Sequence, residues 1–126
     1  KNLKNKKFKL SILSNGTPGL LDELVNSNNL DNIFDDIFSI ENVGIYKPSS
    51  KVYDMPIKKY SFKKKEIAFL SANTWDVSAG GNYGYNSIWV NRNNNNVFDY
   101  IFINKYLFSI FLFTHQLFSR KCNINL

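Results

Sequence analysis

The stretch Glu66–Val90, EIAFLSANTWDVSAGGNYGYNSIWV, decides how this chain is read. Ile67–Leu70 is a continuous apolar run, as a strand covered on both faces requires. A polar tip follows, carrying Ser71, Asn73, Trp75 and Asp76. Asp76–Tyr85 predicts a helix that tolerates three glycines: Gly80 and Gly81 for close packing on a sheet, Gly84 as a C-cap. Ser87–Val90 is the next strand. Ligands of open α/β sheets bind at the carboxyl ends of strands, which is where this tip lies.

Working outward, Phe8–Leu13 (FKLSIL) predicts a second strand, ending at the turn Ser14-Asn15-Gly16. Thr17 or Asn15 can cap the following helix, and Pro18 suits its first turn. That helix is expected to run to about Ser27, with Leu20, Leu21, Leu24 and Val25 on its apolar face. Leu30 to Phe38 has the spacing of a short amphipathic turn, with a brief strand near Phe38–Ile40. Pro48 keeps Lys47 out of the helical region, so Lys47 is expected on an extended tip. Ser49 or Ser50 then caps a helix through Val52, Tyr53, Ile57 and Tyr60, in which Pro56 is expected to cause a kink or an early end. The order strand, tip, helix, repeated, predicts an α/β fold with a Rossmann-like parallel sheet and flanking helices.

The 126 residues are enough for one modest domain, and 44% hydrophobic residues make a core feasible. We divide the chain at residue 96: residues 1–96 as core, residues 97–126 as an apolar, aromatic tail. The tail reads as a core helix or as a non-native terminus, such as a read-through or a frameshift. Its apolar run Tyr106–Phe113 is far shorter than the roughly 18 residues of a membrane span, so no membrane partner is expected. The net charge of +6 invites a nucleic-acid reading. Yet the lysines cluster at the start and at Lys63–Lys65 with no arginine cluster or aromatic interleaving, which fits a solvated face. A single cysteine, Cys122, fits a reducing compartment, and the start lacks the apolar segment of a signal peptide, so a cytoplasmic location is expected. There is no CxxC, no histidine cluster, no GxGxxG and no GKS/T, so neither a zinc site nor a nucleotide cofactor is expected. His115, the single histidine, receives no role.

Each polar tip has a bland and a chemical reading. Ser14 and Asn15 can bind a small carboxylate beside a helix N-terminus, though such a triplet more often serves only as turn and cap. Lys47 and Asp76, if they share one crevice, form an ion pair; apart, one is solvated and the other a capping residue. An ionised Asp76 beside Ser71 and Asn73 can position a water and take its proton. Tyr53 and Trp75 can wall a small apolar pocket or simply fill core.

The segments LSNGTPGLLDELV, YKPSSKVY and FLSANTWDVSAGGNYGYNSIWVNR, in that order and spacing, closely resemble the haloacid dehalogenase superfamily, and within it the type II (S)-2-haloacid dehalogenases. The resemblance covers Phe8 to about Asn93. It implies hydrolysis of (S)-2-haloacids to (R)-2-hydroxyacids, in which an aspartate attacks C2, expels halide and forms an ester that water then cleaves. It implies catalytic roles for Lys47, Ser71, Asn73 and Asp76, substrate contacts for Ser14, Asn15, Tyr53 and Trp75, a short 2-haloacid as substrate, and no metal or cofactor. Phosphatases of the superfamily carry an aspartate where this chain has Ser71, which makes a phosphatase the second choice; a binding remnant is the third. In the family the nucleophilic aspartate, its strand and a helical cap precede the SNG tip. Residues 1–13 contain no aspartate. The chain is therefore expected to be the C-terminal part of the core, inactive alone, with a further central strand belonging between those ending at Ser14 and Leu70. Dimers are common among relatives, so a homodimer stands as an open expectation for a longer parent.

Overall fold

A computed structural model describes residues 2–91 and 110–113. Its elements are α1 (Asn2–Asn5), β1 (Lys9–Ser14), α2 (Pro18–Ser27), β2 (Asp36–Ser39), a 3-10 turn at Ile40–Asn42, α3 (Ser50–Tyr60), a second 3-10 turn at Lys64–Glu66, β3 (Ile67–Ser71), α4 (Thr74–Tyr83), β4 (Asn86–Trp89) and β5 (Ile110–Phe113). All four strand pairs are parallel, in the order β2-β1-β5-β3-β4.

The alternation of side chains along each strand fixes which helix covers which face. Leu13 of β1 and Ile67 and Phe69 of β3 share a core with Val52, Tyr53 and Met55 of α3 and with Tyr85. Ile12 of β1 packs with Leu21 and Val25 of α2, so α2 lies on the opposite face. At the start of β1, Leu10 gathers Leu3, Phe8 and Ile33. Chain winding runs outward from the centre on both sides, β1 to β2 and β3 to β4. The crevice between β1 and β3 is thus the switch point at which α/β sheets place their ligands.

Local signals explain most of the element ends. Thr17 caps α2 by accepting from Leu20 N, and Pro18 opens the helix. Gly84 closes α4 at φ +111°, a left-handed position that suits glycine. Ser49 occupies the N-cap position of α3 without a side-chain cap bond.

Three expectations need correction. Leu20 is 61% exposed, so the apolar face of α2 is narrower than the sequence suggests and rests on Leu21 and Val25. Helix α3 does not stop early at Pro56 but continues to Tyr60, with the proline ring buried in the core. Burial of that ring offsets the hydrogen bond that the Val52 carbonyl loses there. Finally, residues 110–113 of the tail are strand rather than helix, and they hold the central place where a further strand was expected. His115 and Cys122 lie outside the described residues. Among the described residues no helix is long and apolar enough to cross a membrane.

Candidate functional site

Strand β3 ends at Ser71, and α4 starts three residues later, so Asp76 in the first turn of α4 turns back toward the strand end. Its carboxylate is 1% exposed and takes three hydrogen bonds. Oδ2 accepts from Lys47 Nζ at 2.8 Å and from Ser71 Oγ at 3.0 Å, and Oδ1 accepts from Tyr53 Oη at 2.8 Å. A carboxylate has about four lone-pair sites, so three donors leave room for one more.

Lys47 reaches this point from the tip before α3. Its peptide bond to Pro48 is cis. The backbone N–H of Lys47 donates to Asn15 Oδ1 at 2.9 Å, which ties the second tip to the first. The ammonium group also donates to the carbonyl of Leu13 in β1 at 3.2 Å and lies 5.6 Å from the centre of the Phe69 ring. Burial pushes the Lys47 amine below the ordinary lysine range, and Asp76 opposes that by charge and hydrogen bond. Burial, with Asp76 beside it, pushes the Tyr53 phenol up, so Tyr53 stays a hydrogen-bond donor.

The tips themselves are braced. Ser14 Oγ accepts from Gly16 N at 2.9 Å, and Ser39 Oγ donates to the Gly16 carbonyl at 2.8 Å. Ser71 Oγ accepts from Asn73 N at 3.2 Å while donating to Asp76. Behind Tyr53, Phe69 meets its ring edge-on at 5.8 Å, Tyr83 stacks on it at 5.5 Å, and Tyr85 donates to its carbonyl oxygen. This aromatic packing aims the Tyr53 hydroxyl.

Four of the residues singled out from the sequence thus meet through their side chains: Lys47, Tyr53, Ser71 and Asp76. Asn15 joins through the Lys47 backbone, and Ser14 is buried at the end of β1, one residue beyond the Leu13 carbonyl. Trp75 stands apart. It is 48% exposed and lines an open cleft of about 820 Å³ between α3 and α4, together with Tyr53, Asp54, Asn82 and Tyr83. That cleft touches none of Ser14, Asn15, Lys47, Ser71 or Asp76. Sequence reasoning missed the Leu13 carbonyl, Tyr83 and Tyr85. A backbone acceptor leaves no mark in residue types, but the aromatic pair two residues apart before β4 was a readable hint. Among the described residues no three histidine, cysteine or acidic side chains gather as metal ligands.

Comparison with known proteins agrees with the geometry. Residues 1–90 match the family model of haloacid dehalogenase-like hydrolases. The chain is 39% identical over 85 residues to an (S)-2-haloacid dehalogenase of Pseudomonas putida, covering 68% of this chain and 37% of that protein. A crystal structure of a dehalogenase superposes with a TM-score of 0.72 at 31% identity, over 75% of this chain and 42% of the other. The L-2-haloacid dehalogenase of Xanthobacter autotrophicus superposes with a TM-score of 0.60 at 32% identity, over 62% of this chain and 32% of that one. The chain therefore spans well under half the length of these relatives. With the family match over residues 1–90, the parallel sheet and the three tips converging on Asp76, the chain belongs to the haloacid dehalogenase-like hydrolases.

Proposed function

We propose that this chain carries the part of an (S)-2-haloacid dehalogenase site that binds the substrate carboxylate and completes ester hydrolysis, with the nucleophilic aspartate supplied by a segment outside residues 1–91. The observation that carries this reading is the buried Lys47–Asp76 pair at the switch point of the sheet, held by Ser71 and Tyr53.

The contacts support the following roles. Ser14 Oγ, placed at the end of β1 by its bond from Gly16 N, and the Asn15 backbone beside it are the groups we assign to the substrate carboxylate. The nucleophilic carboxylate attacks C2 of the haloacid, a C–O bond forms, and the carbon–halogen bond breaks with its electron pair leaving on the halide. Lys47 steadies the attacking carboxylate by charge. Water then attacks the ester carbonyl carbon and gives its proton to Asp76, in the place left on that carboxylate by Lys47, Ser71 and Tyr53. The bond from that carbonyl carbon to the product oxygen then breaks, the leaving alkoxide takes the proton from Asp76 and departs as the 2-hydroxyacid, and the nucleophile, after losing a proton to solvent, and Asp76 are both carboxylates again. The Asn73 backbone N–H holds the Ser71 hydroxyl in line, and Tyr53 borders both the Asp76 site and the neighbouring cleft in which Trp75 stands. Ser71 supplies a neutral hydroxyl where phosphoryl transfer would call for a further cation ligand.

The test is a chimaera in which residues 9–90 of this chain replace the matching segment of the Pseudomonas putida enzyme. It should release chloride from (S)-2-chloropropanoate with turnover. Asp76→Asn in the chimaera should release about one equivalent of chloride and retain the ester, detectable as added mass. A folded chimaera that releases no chloride, or an Asp76→Asn form that turns over normally, refutes the assignment.

A further inference from the structure

Two tyrosine–aspartate hydrogen bonds join α3 and α4, one in each direction. Tyr53 of α3 donates to Oδ1 of Asp76 in α4 at 2.8 Å. Tyr83 of α4 donates to Oδ1 of Asp54 in α3. The first bond lies in the site. The second lies outside it, in the wall of the neighbouring cleft. Spacing along the helices ties the two together. Tyr53 and Asp54 are adjacent in α3. Asp76 and Tyr83 are about two turns apart in α4 and so share one face of it. The Tyr53 ring spans both: its hydroxyl sits on Asp76, and its face stacks on the Tyr83 ring at 5.5 Å and 29°.

Tyr53 is fixed on its other sides by groups already described. Tyr85 holds its carbonyl oxygen, and Phe69 meets its ring edge-on. The remaining side borders the open cleft of about 820 Å³, yet Tyr53 is only 1% exposed. Tyr83, stacked on it and lining the same cleft, is the cover there. Tyr83 is in turn held at two points. Asp54 binds its hydroxyl, and Lys64 Nζ stands 3.6 Å from its ring centre. Burial, with the Asp54 bond beside it, pushes the Tyr83 phenol up, so it stays a donor.

We propose that Tyr83, clasped by Asp54, is a positioning residue for ester hydrolysis, acting on Asp76 only through Tyr53. This rests on the dehalogenase reading above, in which Asp76 takes the proton of the attacking water. With Tyr53 on Oδ1 and with Lys47 and Ser71 on Oδ2, the carboxylate is held at both oxygens and braced against rotation. Its open lone-pair site then keeps one direction. A Tyr53 ring released into the cleft leaves that carboxylate held at Oδ2 alone. Carbon–halogen cleavage does not draw on Asp76, so the loss falls on the water step.

The test has two arms. In the chimaera, Tyr83→Leu should release the first equivalent of chloride at the parent chimaera's rate and hydrolyse the ester about tenfold or more slowly. Ester then accumulates, and kcat and KM fall together with kcat/KM kept. Asp54→Leu should act in the same direction. Asp54→Asn, whose amide oxygen still accepts from Tyr83, should restore hydrolysis. In the full 126-residue chain, without haloacid, NMR should show the Tyr53 hydroxyl proton protected from exchange in wild type and in Asp54→Asn. Tyr83→Leu should lose that protection while the backbone amides of β1 and β3 keep theirs. Unchanged ester hydrolysis in Tyr83→Leu, or chloride release slowed as much as hydrolysis, overturns the proposal. So does a Tyr53 hydroxyl that stays protected without the Tyr83 ring. Asp54→Asn failing like Asp54→Leu overturns the clasp. A chimaera that never turns over refutes the dehalogenase reading instead, and the hydroxyl measurement then decides the positioning by itself.

Discussion

Gly80 of α4 packs directly on the ring of Phe69 in β3: a Cβ at residue 80 would stand 2.6 Å from Phe69 Cδ1 and 2.9 Å from Ser87 Oγ. This contact seats α4 on the sheet and so sets where Asp76 projects. Gly80→Ala should destabilise the fold by about 1–3 kcal/mol through overpacking. Gly81→Ala, whose Cβ would meet Ser87 only at 3.8 Å, should cost nothing measurable or add stability. Denaturant unfolding of the two variants checks the contrast.

Ser87 offers an opposite effect. Its Oγ is buried and has no hydrogen-bond partner among the described residues. Ser87→Ala should raise stability by about 1 kcal/mol, because an unsatisfied hydroxyl is removed with no bond lost. A lower unfolding midpoint for this variant would contradict the account.

The Lys47–Asp76 pair should behave as a buried unit. Lys47→Met alone leaves Asp76 without its counter-charge and should cost about 3–5 kcal/mol. Lys47→Met combined with Asp76→Leu should recover much of that loss. A double-mutant cycle by chemical denaturation gives the coupling, and additive losses would argue against a buried pair.

The same lysine predicts a pH dependence. Its amine lies below the ordinary value of 10.5 in the folded chain, chiefly through burial. Between the folded value and 10.5 the unfolded chain therefore binds more protons, and stability rises with pH across that window. Below the folded value this contribution is flat. Because the tyrosines titrate from about 10 upward in the unfolded chain, the comparison belongs below that pH. Wild type should gain stability relative to Lys47→Met as pH rises toward it.

At the other end of β1, Asp35 accepts from Leu10 N at 2.9 Å and pairs with Lys9 at 3.3 Å and Lys4 at 3.8 Å. Partial burial raises its pKa, but the Leu10 N–H and the two lysines outweigh this and hold it below 3.8. The stabilisation is present above 3.8 and is lost as pH falls through the lower, folded value. Asp35→Asn should flatten that acid limb, measurable by thermal unfolding, while leaving the site around Asp76 unchanged.

Much of this was legible in residue types. A continuous apolar run at Ile67, punctuation at Gly84 and Thr17-Pro18, and three polar tips are local signals, and each marks an element end that the structure has. The exposure of Leu20 was not legible, because how far a helix rolls on a sheet is decided by its partners. Nor was the hydroxyl role of Tyr53. From sequence, an aromatic residue declares its ring; whether the hydroxyl works depends on what surrounds the ring, here Phe69, Tyr83 and Tyr85. The tail was hardest, since short apolar runs in helix and buried strand look alike by period.

The position of β5 also bears on how the chain is made. Synthesis delivers β1 to β4 first, as two ribbons whose facing edges stay unzipped until residue 113 has been translated. Contacts of such long sequence separation form late. Until then the two backbone edges are templates on which another strand can pair, so the stage before β5 docks is where this sheet is most open to mispairing.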